Sequence, residues 1–94
     1  MKIVQIGTGG FGKNHARILS QLGVLSAICD MNTSRAEEFG KKYSVNYYSS
    51  LDSLIDSEQF DAAFVCTPTS THFEIAKKLL ERKKNVFVEK PMTY

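Results

Sequence analysis

The feature that most constrains this chain is a glycine-rich hexapeptide that directly follows a short apolar segment. Residues 2–6 are mostly apolar and branched, as expected for a buried strand, and Gly7 follows them at once. The loop from Gly7 to Gly12 fits the spacing G-x-G-x-x-G. Residues at helical spacing then lead up to Gly23, namely Phe11, His15, Ile18, Leu19 and Leu22. The segment therefore predicts a strand, a glycine turn and a helix in that order.

This order is the context in which such a loop binds the diphosphate of a dinucleotide. Gly7 permits the tight turn, Gly9 lets the backbone approach a diphosphate, and Gly12 lets the helix pack closely on the strand. Free N–H groups at the helix start, together with the positive end of the helix dipole, then receive the phosphates. We assign cofactor binding to the whole loop, that is to Gly7, Thr8, Gly9, Gly10, Phe11 and Gly12.

An acidic residue at the end of the next predicted strand indicates the same ligand. Residues 24–29 are mostly apolar, and Asp30 follows them, where a carboxylate can accept hydrogen bonds from an adenosine ribose. Because the same acid would repel a 2′-phosphate, we predict NAD as the cofactor. NADP remains the alternative, since Arg35 could pair with a phosphate. The alternative without any ligand is an ordinary glycine-rich turn followed by an Asp that caps a helix.

The rest of the chain alternates between strand and helix character. Further strands are predicted over 45–48, 60–66 and 86–88. The helices between them should bury Ala36 and Phe39, then Leu54 and Ile55, then Phe73, Ala76 and Leu80 with Ile75 and Leu79. Continuous apolar strands of this kind are typical of a parallel sheet that is covered on both faces. We predict an α/β fold, a Rossmann-type doubly wound parallel sheet of about five strands in the order 3-2-1-4-5.

Two further segments should border the cofactor, because ligands of open α/β sheets bind at the carboxyl ends of the strands. In the first segment, Pro68 ends the fourth strand and turns Thr67 and Thr69 toward the crevice. A simple strand-to-helix turn explains these residues equally well. The second segment, residues 89–91, follows the predicted fifth strand. Lys90 in this segment would reach the side of the crevice where the reaction takes place. By spacing alone, Glu89 and Lys90 are more typical of a solvated strand end.

Composition excludes several classes of partner. The chain has 12 Lys and Arg against 10 Asp and Glu, and its basic stretch, residues 82–84, has the pattern of a solvated helix end, so we expect no nucleic-acid partner. The first apolar run is too short for a signal or a membrane segment. Cys29 and Cys66 each close an apolar run without metal-ligand spacing. We therefore predict a cytoplasmic protein with two reduced core cysteines, no metal and no membrane partner.

Taken together, these motifs resemble the Gfo/Idh/MocA family, named for glucose-fructose oxidoreductase, inositol dehydrogenase and rhizopine catabolism. The similarity covers the whole chain and rests on the glycine loop, Asp30, the stretch 67–72 and the Glu-Lys-Pro at 89–91. It implies an oxidoreductase that passes a hydride between a nicotinamide cofactor and a CH–OH group of a sugar, nucleotide sugar or cyclitol. The segments 12–15 and 22–25 are similar to the nucleotide-sugar branch.

The resemblance also implies roles for single residues. Lys90 would contribute to substrate binding and catalysis, helped by a cis bond before Pro91. The residues that the resemblance adds to the cofactor site are Thr67, Pro68, Thr69, His72 and Glu89. By spacing alone, His72 and His15 are more typical of a helix surface than of a ligand site.

The domain organisation follows from the length of 94 residues, which allows one domain at most. We expect residues 1–94 to be a truncated dinucleotide-binding domain without the family's second, C-terminal α/β domain, from which a catalytic histidine, most of the substrate pocket and the oligomer contacts come. The fragment alone should then bind cofactor without turnover, and the full-length enzyme should be a homo-oligomer. Two alternatives stay open: a non-catalytic module that senses a dinucleotide, and a Rossmann-like domain for another nucleotide such as S-adenosylmethionine.

Overall fold

The computed structural model of the chain describes residues 1–8, 12–67, 69–82 and 85–88, with the backbone alone at 12, 69–73 and 85–88. The elements follow in the order β1 (Ile3–Ile6), α1 (Gly12–Gln21), β2 (Leu25–Cys29), α2 (Thr33–Tyr43), β3 (Asn46–Tyr48), α3 (Leu51–Ser57), β4 (Ala62–Val65), α4 (Thr69–Glu81) and β5 (Asn85–Val88). The five strands in this part of the chain form one parallel sheet in the order β3-β2-β1-β4-β5. The predicted Rossmann-type α/β fold and its strand order are confirmed.

Strand β1 lies at the centre of the sheet, and all four of its residues are buried. Because successive strand residues point to opposite faces, Val4 and Ile6 meet α3 and α4, while Ile3 packs against Leu19 of α1. A third cluster joins α1 and α2 to the sheet through Ala16, Ile28 and Phe39. Helices therefore cover both faces, which is why the strands read as continuous apolar runs.

The helix ends follow the local chemistry of the sequence. Asn32 is the N-cap of α2 and its side chain accepts a hydrogen bond from the Arg35 N–H at 3.1 Å. Ser50 caps α3 in the same way, at 3.4 Å from the Ser53 N–H. After α1, Gly23 has a φ of +73°, so it supplies the stop that the sequence predicted.

The predicted buried faces of the helices need correction. Leu80 was predicted to be buried, but its side chain is 64% exposed, and the buried residue is its neighbour Leu79. Consecutive residues point about 100° apart on a helix, and the packing of α4 turns Leu79 to the sheet and Leu80 away from it. On α1, Leu19 is buried while Ile18 and Leu22 are exposed. His15 is only half-exposed, because its ring stacks on Phe64 with the ring centroids 4.7 Å apart.

Cys29 and Cys66 are buried thiols, as predicted. They lie on either side of β1: Cys29 is the register partner of Ile6, and the Cys66 N–H donates to the Ile6 carbonyl at 2.7 Å. Among the helices of the described residues, none combines the length and the apolar character needed to cross a bilayer.

Candidate functional site

A crevice of about 720 Å³ opens at the carboxyl ends of the strands. Its floor is formed by the residues that follow β1, β2 and β4, which include Gly7, Asp30 and Thr67. Arg35 of α2 lies along one wall and Lys78 of α4 along the other. The chain crosses over between the sheet halves next to β1, and this is the edge at which the sequence predicted a ligand.

Gly7 is the point at which the turns after β1 and β4 approach each other. Its φ is +94°, and a Cβ at this position would lie 2.4 Å from the carbonyl oxygen of Cys66 and 2.9 Å from Cγ2 of Thr67. On the other side, the Gly7 N–H donates to the Cys29 carbonyl at 2.8 Å. Only a residue without a side chain fits between these groups, so the floor of the crevice is bare backbone here.

The Asp30 carboxylate turns toward this glycine turn. Its Oδ2 accepts hydrogen bonds from the N–H of Thr8 at 3.0 Å and from the Thr8 hydroxyl at 2.5 Å. Its Oδ1 accepts from the Asn32 N–H at 2.8 Å. The side chain is 10% exposed. Because Asn32 is the residue that caps α2, the alternative in which Asp30 serves as a helix cap is wrong.

Arg35 places a cation beside this carboxylate. Its Nη1 lies 3.9 Å from Oδ2 of Asp30, and its side chain is 43% exposed. An ion pair of this length and exposure is weak, so the guanidinium can turn to another anion at small cost. Arg35 therefore lies close to the carboxylate and open to the crevice.

Thr67 lies in the floor of the crevice next to the end of β4. Its hydroxyl oxygen is buried and has no hydrogen-bond partner among the residues that the structure describes. A buried hydroxyl without a partner carries a free-energy cost, so this one retains the capacity to bind.

Gln5 is a site residue that the sequence reasoning missed. It is fully buried in the middle of β1, and its side-chain amide donates to the Gly7 carbonyl at 2.9 Å. Burying a polar side chain is costly unless it is hydrogen-bonded, and here the bond braces the glycine turn. The available signal was a polar residue within an otherwise apolar central strand.

Charged residues on the far wall were also missed. The Lys78 ammonium lies 3.1 Å and 3.4 Å from the two carboxylate oxygens of Asp52, and Glu74 lines the same wall. These side chains come from α3 and α4, where spacing alone is typical of a solvated helix face. The crevice is thus lined by both signs of charge.

Cys29 lies behind Asp30 and also lines the crevice. Burial, and secondarily the negative charge of Asp30, raise the pKa of this thiol to about 11. The thiolate is the reactive form of cysteine, so Cys29 stays protonated and unreactive at neutral pH.

Several predicted site residues lie outside the described residues, and they are Gly9, Gly10, Phe11, Pro68, Glu89, Lys90 and Pro91. Of Gly12, Thr69 and His72 only the backbone is described, with Gly12 first in α1 and Thr69 first in α4. The predicted residues that the structure brings together are Gly7, Thr8, Asp30, Arg35 and Thr67. Within the described ranges, no group of three or more His, Cys, Asp or Glu is placed to hold a metal ion.

Comparison with known proteins gives the family. Residues 1–94 match the family model GFO_IDH_MocA, described as an oxidoreductase family with an NAD-binding Rossmann fold. The chain belongs to the Gfo/Idh/MocA oxidoreductase family. The resemblance noted in the sequence is confirmed, and the matched region is the family's NAD-binding fold.

Similar Gfo/Idh/MocA proteins include two dehydrogenases and one solved complex. Myo-inositol 2-dehydrogenase from Thermotoga maritima is 36% identical over 96 residues, which is 99% of this chain and 29% of that protein. UDP-N-acetylglucosamine 3-dehydrogenase from Acidithiobacillus ferrooxidans is 32% identical over 93 residues, which is again 99% of this chain and 29% of that protein. The WlbA dehydrogenase from Bordetella pertussis, solved in complex with NADH and UDP-GlcNAcA, has a TM-score of 0.89 at 27% identity, over 98% of this chain and 29% of that one. The chain therefore spans less than a third of the length of these relatives.

Proposed function

We propose that the protein binds NAD at the carboxyl edge of its sheet and transfers a hydride between the nicotinamide and a CH–OH group of a sugar, nucleotide sugar or cyclitol. The observation that carries this proposal is the Asp30 carboxylate, which is held by Thr8 beside the glycine turn at the mouth of the crevice. Bound NAD would supply the hydride chemistry. The residues of this chain would bind and orient it.

The fit of NAD to these residues is supported by Gly7, which lines the crevice with backbone alone. We assign the diphosphate to the loop from Gly7 to Gly12 and to the N-terminal end of α1, where backbone N–H groups and the helix dipole favour an anion. We assign the adenosine ribose to Asp30, since a carboxylate at the end of the second strand accepts from ribose hydroxyls. We assign the border of the site beyond β4 to Thr67, Pro68, Thr69 and His72.

Asp30 also supports NAD over NADP, because a carboxylate repels the 2′-phosphate of NADP. Arg35 would weaken that preference, since it lies close enough to offset the charge of Asp30 and is exposed enough to reach a phosphate. We therefore propose a preference for NAD that is clear but incomplete.

The reaction and the substrate class are supported by the family and by the names of the relatives, which act on myo-inositol and on UDP-N-acetylglucosamine. On this basis we propose that Lys90 holds the substrate near the nicotinamide and that Glu89 borders the cofactor. We also propose that residues 1–94 make up one dinucleotide-binding domain, and that the complete enzyme is a cytoplasmic homo-oligomer.

The test is dinucleotide binding to the protein in its natural length. Isothermal titration should detect NADH, with a weaker response to NADPH. Asp30→Ala removes the proposed ribose contact, and charge-assisted hydrogen bonds are worth about 1.5–3 kcal/mol, so NADH affinity should fall by about tenfold or more. Production of NADH from a cyclitol or a nucleotide sugar would then establish the reaction class.

The matched control is Asp56→Ala. Asp56 is an exposed acid of α3 that pairs with Arg82 at 3.0 Å and does not line the crevice, so its removal should leave NADH affinity within about twofold. Equal effects of the two variants would contradict the assignment of Asp30. Binding of S-adenosylmethionine without any binding of NADH would contradict the choice of ligand.

A further inference from the structure

Thr8 uses both of its hydrogen-bond donors on Asp30. Its side chain is fully buried, and both its N–H and its hydroxyl donate to the same oxygen, Oδ2 of Asp30. We propose that Thr8 is a positioning residue, which fixes the Asp30 carboxylate for the adenosine ribose and whose side chain does not itself touch the cofactor. This inference rests on the proposed function, because it takes Asp30 as the ribose ligand.

The hydrogen bonds of the carboxylate specify which oxygen meets the ribose. An ionised carboxylate offers about two acceptor positions on each oxygen. Both positions on Oδ2 are used by Thr8, whose hydroxyl bond of 2.5 Å has the length of a charge-assisted bond. On Oδ1, the Asn32 N–H uses one position at 2.8 Å. Among the residues that the structure describes, no second donor reaches Oδ1, and we assign its remaining position to a ribose hydroxyl.

Thr8 also keeps Asp30 away from the neighbouring cation. The Nη1 atom of Arg35 lies 3.9 Å from Oδ2, which is too far for a hydrogen bond, while the Thr8 hydroxyl holds that oxygen toward the glycine turn. Without this hydroxyl, the carboxylate could rotate and form a direct ion pair with Arg35. A carboxylate that is already oriented loses less rotational freedom when the ribose binds, so Thr8 contributes to affinity through Asp30.

The spacing of the glycine loop does not predict this role. The position of Thr8 is variable in the G-x-G-x-x-G pattern, which constrains only the glycines. The role depends on a hydroxyl at that position and an acid at the end of β2, which meet only after β1 and β2 have paired.

Two variants of Thr8 test the inference, with binding of NADH and NADPH measured by isothermal titration. Thr8→Val has nearly the same volume and keeps the N–H, but it lacks the hydroxyl. We expect it to weaken NADH binding about tenfold and NADPH binding much less, which lowers the preference for NADH. Thr8→Ser keeps the hydroxyl, so it should restore NADH affinity to within about twofold of the wild type.

A double-mutant cycle separates positioning from a structural role. If Thr8 acts through Asp30, then Thr8→Val should cause no further loss of NADH affinity in the Asp30→Ala background. A loss of the same size in both backgrounds, or equal losses for NADH and NADPH, would overturn the inference. The inference would also be overturned if Asp30→Ala binds NADH more weakly than the wild type while Thr8→Val binds it with unchanged affinity. If Asp30→Ala itself binds NADH normally, the proposed function fails first, and this inference with it.

A measurement on the wild type covers the case in which Thr8→Val does not fold. In a crystal structure of the NADH complex, Oγ1 of Thr8 should remain within hydrogen-bond distance of Oδ2 of Asp30, while Oδ1 contacts the ribose. A hydrogen bond from Oγ1 of Thr8 to the cofactor would overturn the inference.

Discussion

Gly7 is a residue whose substitution the structure tolerates poorly. An alanine here would need a positive φ and would also place its Cβ 2.4 Å from the Cys66 carbonyl oxygen. Backbone strain of about 1–2 kcal/mol and overpacking of about 1–3 kcal/mol add together, so Gly7→Ala should lower the free energy of unfolding by about 2–5 kcal/mol. Urea denaturation followed by circular dichroism measures this loss.

Gly23 provides the matched control for Gly7. It also has a positive φ, of +73°, but nothing lies within 4 Å of a Cβ built there. Gly23→Ala should therefore cost only the strain, about 1 kcal/mol. Equal losses for the two variants would mean that the close approach of Gly7 to Cys66 does not contribute to the cost of Gly7→Ala.

The sequence predicted single site residues where a local pattern constrains them, and it failed where two distant segments meet. The turn at Gly7 and the placement of Asp30 follow from a glycine spacing and from the end of an apolar run. The bonds of Thr8 to Asp30 and of Gln5 to Gly7 have no such pattern. The bonds of Thr8 depend on how closely the turns after β1 and β2 approach each other, which the strand register determines. The bond of Gln5 is local, two residues along the chain, but neither the glycine spacing nor the apolar run indicates it.

At the scale of the elements, periodicity predicted which segments are helices but not how each helix is rotated. On α4, Ile75, Leu79 and Leu80 all fit one wide apolar stripe, and the choice between Leu79 and Leu80 depends on packing against the sheet. Short strands were predicted well because buried parallel strands are apolar on both faces. Their ends shifted by a residue or two, as with β4 at Ala62–Val65 against the predicted 60–66.

Helix α2 carries a strained end that can be relieved. Ser44 is its C-cap and lies in the left-handed region, with φ 57° and ψ 45°, and its N–H bonds the carbonyls of Gly40 and Lys41. Glycine adopts this conformation without the Cβ penalty, so Ser44→Gly should raise the free energy of unfolding by about 0.5–1 kcal/mol. Thermal unfolding checks the change. Ser44→Ala keeps the Cβ and should show no such gain; if it stabilises the protein equally, strain at Ser44 is not the cause.

At the scale of the whole molecule, the strand order explains why one edge carries the site. The sheet runs outward from β1 in two directions, and the helices that follow β1 and β4 cover opposite faces, so a crevice opens at the carboxyl ends of these strands. The sequence predicted this location because the order of strands and helices predicts the strand order of the sheet. Ligands of open parallel sheets bind at the carboxyl ends of the strands, where that order reverses. It did not predict the ion pairs between α3 and α4, Lys78 with Asp52 and Arg82 with Asp56, which are exposed and contribute little to stability.

The stability of the whole fold should depend on the protonation of Cys29, because burial raises the pKa of its thiol to about 11 from an ordinary 9.0. Between pH 9 and 11 the unfolded chain loses the thiol proton while the folded chain keeps it. The free energy of unfolding is therefore unaffected by this thiol below pH 9 and falls by about 1.4 kcal/mol per pH unit as the pH rises toward 11. Urea titrations at pH 8, 9 and 10 should therefore show a falling free energy of unfolding, and Cys29→Ala should flatten the slope although it lowers stability at pH 8. Burial also raises the pKa of Tyr48 from 10.0, so Tyr48→Phe should change the slope only above pH 10. An unchanged slope between pH 9 and 10 in Cys29→Ala would show that this thiol ionises in the folded state as easily as in the unfolded one.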